Sequence, residues 1–455
     1  MTCRGELCAQ LDSDESDQLL LSPGVVGGAV MHRRMLPALV LVCALGVAPA
    51  RAQDHPDGAG PSASPTVAQG HPDIPDPVTE FDVGDLWRLI RHHPAVRDEG
   101  ANPTQRFVAF APSVGSKPTT GFTGGFSGNV AFTDGDATDT HISTLTGGAK
   151  VSQKGQILTG SRLALFTADD RWYILCDNRM SWTSMSTYSL GGGAPASSGT
   201  NLDVDVVRLY ESAYREVEPG LFLGGGINVN SHFNVRPGSG TSTAAWNSSA
   251  YVAYNEAHGF SSERQDSSGV NVGLRYDTRD NAINPDGGWL ASATYRAFFD
   301  DFLGGDSTWQ ELALDARTYV RITPDARHKL AFWFLGDMVT GGTAPFWDLP
   351  EMSADGRSAR GYGEGRYRGE RLLYWETEYR ATLTSNGLLG MVLFANTTTV
   401  SSLETGDRLF RSWAPGAGAG LRLLLNKRSR TNLCADYGFG KQGSRGFYLS
   451  IQEAF

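Results

Sequence analysis

Covalent catalysis needs a nucleophile beside a base, and this chain supplies neither in a usable arrangement. No Gly-x-Ser-x-Gly elbow occurs, and GFSGNV at 125–130 lacks its spacing. The histidines beyond residue 52 are His55, His71, His92, His93, His141, His232, His258 and His328, and none is paired with another on one strand face. His92 and His93 follow Arg91 with no acid or cysteine at ligand spacing, so they read as a solvated helix end rather than a metal site. Catalysis, a bound metal and a cofactor are therefore not expected.

The chemistry that remains is that of fixed charge. Between HKLAFWFLGDMV and RLLYWETEYRATL lies Ser358–Glu370, SARGYGEGRYRGE, with three arginines and four glycines. Both neighbours look like strands that face a membrane. A basic, glycine-rich connection between two such strands needs anionic partners on whatever surface it meets.

The elements around that connection alternate with period two from about Arg106 onward. Val270, Val272, Leu274 and Tyr276 alternate with Asn271, Gly273, Arg275 and Asp277. Leu312, Leu314, Ala316, Thr318 and Val320 alternate with Glu311, Ala313, Asp315, Arg317, Tyr319 and Arg321. Leu373, Trp375, Thr377 and Tyr379 oppose Tyr374, Glu376, Glu378 and Arg380. One face is apolar and aromatic, and the other carries paired charges. A soluble sandwich buries the apolar face, whereas a membrane barrel turns it to lipid and keeps the charges in the lumen.

Three observations select the barrel. The strands run to about ten residues, as a tilted span requires. An export signal begins at Met31: Arg33 and Arg34 form its basic region, Leu36–Val47 its apolar core, and Ala50-Arg51-Ala52 its cleavage site. Finally the chain ends in GFYLSIQEAF, where Phe447, Leu449 and Ile451 alternate before a terminal Phe455. Residues 1–30, with the acidic run LDSDESD, read as an upstream extension from a misplaced start, 31–52 as the signal peptide, 53–105 as a periplasmic linker with one short helix, and 106–455 as the barrel.

Composition agrees with this reading. The 455 residues carry a net charge of -10 and only 19% charged side chains, which excludes a nucleic-acid partner. The 55 glycines and 10% aromatic residues suit many short strands joined by turns. After Val47 no apolar run is long enough for a membrane helix. Of five cysteines, Cys176 and Cys434 lie beyond the leader, and alternation points them to different faces, so two separate thiols are expected.

About sixteen strands can be drawn, an even number suited to a closed all-β antiparallel transmembrane barrel. The connections alternate between short ones and the long ones at 182–202, 235–268, 340–370 and 401–415. The third long connection lies between strands 11 and 12 and contains the basic stretch. Asp277, Arg279 and Asp280 flank a short connection with Pro285 and Gly287, which reads as a charge-satisfied turn.

GLRYDTRDNAINPDGGW at 273–289, Arg360-Gly361-Tyr362 in the long late loop, Glu378-x-Arg380 and the terminal strand resemble the BamA/TamA-like outer-membrane barrel superfamily of bacterial surface-antigen type. The resemblance covers roughly 269–455 and is weaker over 106–268. It implies that the loop folds back into the lumen, with Arg360 meeting acids on the wall, Gly361 forming the turn and Tyr362 the aromatic. Glu378 is one wall acid. The second falls at Asn396, which accepts a hydrogen bond but adds no charge, so the clamp is either looser or uses Glu376. Removing a partner from such a buried pair costs about 3–5 kcal/mol. Phe447, Leu449, Ile451 and Phe455 would form the signal read by the outer-membrane assembly machinery.

The resemblance further implies a place in the outer membrane of a Gram-negative bacterium, with lipid, the assembly machinery and unfolded client barrels as partners. Residues 53–105 are too few for the periplasmic POTRA modules usual in the family. The leading expectation is an insertase or translocase working through the seam between first and last strands; the alternative is a plugged passive pore or structural surface antigen.

Overall fold

The computed structural model describes residues 80–93, 106–117, 121–136, 139–153 and 155–455. The upstream extension, the signal peptide and most of the linker lie outside the described residues. Alternation of the kind set out above yields sixteen antiparallel strands: β1 (Phe107–Lys117), β2 (Gly121–Phe132), β3 (Ser143–Ser152), β4 (Ile157–Phe166), β5 (Trp172–Thr187), β6 (Thr200–Glu218), β7 (Leu221–Pro237) and β8 (Gln265–Asp277). The second half holds β9 (Gly288–Phe298), β10 (Trp309–Arg321), β11 (His328–Gly342), β12 (Arg371–Thr382), β13 (Leu389–Ser401), β14 (Ala414–Asn426), β15 (Thr431–Gly440) and β16 (Arg445–Ile451). Each pairs with its neighbours in sequence, and β1 meets β16 to close the barrel.

Which face looks inward is settled by burial. Val270, Val272, Leu274 and Tyr276 are exposed on the outside, whereas Asp277, Glu311, Glu376, Glu378, Arg380 and Arg422 are buried within. This inverts the rule for soluble proteins and matches a wall whose outer surface meets lipid. On β12 the burial alternates strictly through Leu372, Tyr374, Glu376, Glu378 and Arg380.

The strands differ in height. β6 has 19 residues and β16 only 7. Several strands begin or end beyond the limits that the hydrophobic pattern suggests, among them β5, which continues from 181 to Thr187, β6, which begins at Thr200 instead of 203, β7, which continues from 234 to Pro237, and β8, which begins at Gln265 instead of 269. Their extra residues mix polar side chains with Leu202 and Val235, which pack into a buried cluster, so a lipid-face pattern cannot mark where pairing stops. The long connections shrink accordingly. The one after β7 carries two short helices, Thr243–Asn247 and Ala250–His258, each N-capped by a serine side chain, Ser242 and Ser249.

These long connections knit together over one end of the barrel. Tyr254 donates to Ala344 O at 2.8 Å, and Tyr251 packs against Phe346 and Trp347. Gly191 donates to Arg368 O at 2.8 Å, and Gly193 to Asp407 Oδ2 at 2.8 Å. Gly191 has φ +90, and a Cβ there would lie 2.5 Å from Asp407 Oδ2, so only glycine fits.

At the opposite end the turns are short and charged. Arg279 is held by both oxygens of Asp277 at 2.8 Å, and Asp280 Oδ1 accepts from Asp286 N and Gly287 N. A single helix, formed by Val83–Ile90, docks on this end. Asp82 and Asp85 form its capping box, Phe81 donates to Asn386 O at 2.9 Å, and Lys427 Nζ reaches Asp85 Oδ2 at 2.9 Å. Cys176 and Cys434 are both buried and are not joined in a disulfide.

Candidate functional site at the lumenal loop and the seam

The connection from β11 to β12 folds into the lumen, and its construction explains why it stays there. Met352 N donates to Tyr367 O and Gly365 N to Met352 O, both at 2.9 Å, so the segment is a hairpin with its own pairing. Arg368 ties its base: Nη1 donates to Phe346 O at 2.8 Å and Trp347 O at 3.0 Å, and Nη2 pairs with Glu351. Arg366 reaches across to Ala194 O and Gln442 Oε1 and stacks on Tyr188 and Tyr367. At the tip Asp355 gathers the N–H of Arg357, the N–H of Ser358 and the Ser358 hydroxyl within 2.9 Å.

Arg360 is only 2% exposed. Its guanidinium meets three carboxylates: Glu376 and Glu378 on β12, and Asp436 on β15 at 2.7 Å. It also lies over the Phe394 ring, 3.8 Å from the centroid. Three acids around one cation would repel each other, and two further arginines answer them. Arg380 donates to Glu378 Oε2 at 2.7 Å, and Arg422 to Asp436 Oδ1 at 2.5 Å and Glu453 Oε2 at 2.7 Å. The result is a network of three guanidiniums and four carboxylates in which every group bonds an opposite charge, while Arg360 Nε and Arg380 Nη1 have no partner.

Asn396 takes a different place from a wall acid. Its amide donates to Arg360 O at 3.1 Å and lies 3.4 Å from Glu376 Oε2. It therefore holds the backbone of the motif, while Glu376 and Asp436 hold its charge. Asp436 escaped sequence reading. Its one signal is that it is an acid on a strand otherwise free of charge, TNLCADYGFG.

Gly361 and Tyr362 tie the same loop to the closing strands. Gly361 has φ +109, and a Cβ there would stand 2.7 Å from Phe439 O. Its N–H donates to the Tyr448 hydroxyl at 3.0 Å, and that hydroxyl donates to Tyr362 O at 3.0 Å. The Tyr362 hydroxyl in turn donates to Pro415 O at 2.5 Å and accepts from Lys441 N at 2.8 Å. Tyr448 belongs to β16, so the loop motif grips the last strand directly.

That last strand is where the barrel is weakest. β1 pairs with β16 only at Gly115–Tyr448 and Ser116–Phe447, whereas it runs beside β2 from Phe107–Ala131 to Lys117–Gly121. The expected terminal strand over 446–455 stops at Ile451. Gln452 has φ +74, and the chain turns inward. Glu453 joins the ionic network and accepts from Asn432 Nδ2 at 2.8 Å. Phe455 is 4% exposed, stacked on Trp333 with centroids 5.0 Å apart, and its O accepts from Arg380. Phe447, Leu449 and Ile451 alternate along β16 in unbroken register with β15 and share one face, which Phe455 leaves by turning into the lumen.

Residues 180–455 match the model of the Omp85 superfamily domain. No curated protein matches the chain in sequence. BamA from Haemophilus ducreyi lacking POTRA domains 1–3 aligns with a TM-score of 0.48 at 13% identity, over 77% of this chain and 69% of that one. CdiB from Acinetobacter baumannii aligns with a TM-score of 0.48 at 12% identity, over 76% of this chain and 59% of that one. For CdiB from Escherichia coli the TM-score is 0.46 and the identity 12%, over 76% and 61%. The chain thus spans less than two thirds of the length of either CdiB. The superfamily domain takes in more than half of the chain, all of the ionic network and the whole of β16, and the protein belongs to the Omp85 superfamily.

Proposed function

We propose that this barrel inserts or translocates proteins at the outer membrane of a Gram-negative bacterium, with its β1–β16 seam as the working edge. The observation that carries this reading is the pairing of β1 with β16 through two residue pairs alone. Below Gly115 the backbone N–H and C=O groups of β1 have no partner on β16, and an unpaired strand edge is a template for another strand. A client hairpin would add to that edge while the loop, through Arg360 and Tyr448, braces the rest. Lipid, the assembly machinery and unfolded client barrels are the partners this implies, and the residues Phe447, Leu449, Ile451 and Phe455 would serve the protein's own assembly.

The test is reconstitution in liposomes with an unfolded client barrel. Wild type is expected to accelerate client folding over empty liposomes, and no acceleration would end the insertase reading. Ser116→Cys with Phe447→Cys places two cysteines at directly paired positions, close enough for a disulfide. The oxidised variant should lose the acceleration and regain it on reduction. Retained acceleration in the oxidised form would remove lateral opening from the mechanism.

A second reading, a plugged passive barrel, is favoured by the hairpin that occupies the lumen. Planar-bilayer recordings separate the two. A plug held by Arg360 predicts larger or noisier conductance for Arg360→Ala, and a barrel that conducts but never accelerates client folding fits the passive reading.

A further inference from the structure

Four arginines stand in the loop between residues 357 and 368, and three have polar partners. Arg360, Arg366 and Arg368 each meet carboxylates, carbonyls or an amide oxygen at hydrogen-bond distance. Arg357 differs. Among the described residues its guanidinium makes no ion pair and no hydrogen bond, although it lies inside the barrel. The nearest acids are engaged elsewhere: Asp355 accepts from the Ser358 hydroxyl and two backbone N–H groups, and Asp177 is gripped by both Nε and Nη2 of Arg179 at 3.0 Å. The other charged groups that face it, Arg162 and Arg317, are cations. Arg357 is half-buried with its guanidinium open to the lumen, so a cation without a counter-ion stands free to take an anion there.

Arg357 borders a cavity of about 180 Å³ between the hairpin tip and the seam. Lys150 on β3 lines the same cavity. About half of the remaining lining is apolar, Val114, Leu158, Phe447 and Leu449 among it; Arg360, Asp436 and Glu453 also line it, with both carboxylates already bonded to Arg360 or Arg422. Phe447 projects on the outer, lipid-facing side, and Tyr448 is bonded to the loop, so the cavity is bordered from both faces of β16. It adjoins the place where pairing between β1 and β16 ceases.

We propose that this cavity binds the phosphate of a lipid headgroup, with Arg357 as its ligand and the lipid's apolar part lying in the unpaired seam. Planar guanidinium suits the two oxygens of a phosphate, and the charge-assisted pair supplies the missing counter-ion. A lipid fits better than a free anion because half of the lining is apolar and the cavity borders the membrane face. The site belongs to the closed barrel and does not require that a client ever enter, so its fate is separate from that of the insertase reading.

The experiment uses the full chain in a neutral maltoside detergent, titrated with phosphatidylglycerol, with diacylglycerol as the chain-only probe and inorganic phosphate as the anion-only probe. Bound lipid is read by native mass spectrometry, and folding of each variant by the heat-dependent gel shift of intact barrels. Wild type should retain phosphatidylglycerol, and Arg357→Gln should bind it roughly tenfold more weakly, the loss of one charge-assisted contact. Leu158→Glu supplies a carboxylate within the cavity and should abolish retention with Arg357 still present, which keeps the test intact if Arg357→Gln fails to fold. Equal retention by wild type and either folded variant would overturn the site. Diacylglycerol held as tightly as phosphatidylglycerol would overturn the role of the phosphate, and inorganic phosphate held as tightly would overturn the assignment to a lipid.

Discussion

Arg360 shows how a single residue can be readable while its environment is not. Glu376 and Glu378 sit on one face of one strand, two residues apart, and alternation alone brings them to the lumen. Asp436 lies 76 residues from Arg360 along the chain, and only barrel closure brings the two together. The same closure changes what Asn396 means. Beside a guanidinium already shared by three acids, another carboxylate is a liability. Asn396 is the register partner of Glu376 on the facing strand and now donates to Arg360 O. Asn396→Asp would replace that donor with a like charge opposite Glu376. We expect it to destabilise the barrel by at least about 1 kcal/mol at neutral pH, measured as a lower urea midpoint with unchanged slope. A rise in stability would mean that the site is short of negative charge after all.

The strands were legible as elements because lipid demands an apolar outer face at every second residue. Their ends were not, because pairing outlasts the membrane at one end and stops short of the chain terminus at the other. The helix over Val83–Ile90 shows a further kind of limit. Its periodicity and capping residues can be read, but its seat on the barrel depends on Lys427, which no pattern connects to Asp85. Trp87, Leu89 and Ile90 remain exposed, so burial of an apolar face contributes little to the docking. Lys427→Met should therefore free the helix. Trypsin should then cut at Arg88 or Arg91 roughly tenfold faster, in proportion to the population of the opened segment, while the barrel keeps its heat-resistant gel shift. Unchanged cleavage would show that Phe81 and the capping box hold the helix without the ion pair.

A second contact between elements, at the same end of the barrel, sets a pH dependence. His141, in the turn after β2, bonds Asp170 in the turn after β4, through its N–H at 2.8 Å and through its ring. Burial pushes the imidazole towards neutrality, but the hydrogen bond to Asp170 and the charge of Asp277 outweigh it and raise its pKa above the ordinary value. The folded state thus holds the proton more tightly than the unfolded chain does. The stabilisation is complete below about pH 6.5, the ordinary value for histidine, and is lost as pH rises through the raised folded value. Wild type should lose its advantage over His141→Gln between pH 6 and pH 9 when thermal midpoints are compared. An advantage that grows with pH would reverse the assignment.

At the scale of the whole molecule, the barrel is uneven by design of its sequence. β6 and β7 are long and paired over most of their length, whereas β16 is short and bends inward after Ile451 to give Glu453 and Phe455 to the lumen. The ionic network, the hairpin and the seam are consequently one mechanical unit, linked by the Tyr448 hydroxyl. That hydroxyl accepts from Gly361 N and donates to Tyr362 O, while the backbone of Tyr448 forms one of the two seam pairs. Tyr448→Phe keeps the ring and removes only this bridge, at a cost of about 1 kcal/mol for each hydrogen bond lost. If the loop braces the seam, the loss appears at the seam and not elsewhere. Hydrogen exchange in lipid nanodiscs should speed roughly tenfold for peptides covering 114–117 and 446–449, with β12 and β13 unchanged because Arg360 still holds Glu376 and Glu378. Acceleration confined to the loop would leave the seam independent of the hairpin. Uniform acceleration around the barrel would instead make Tyr448 a general stability residue, and the coupling between loop and seam would then have no support.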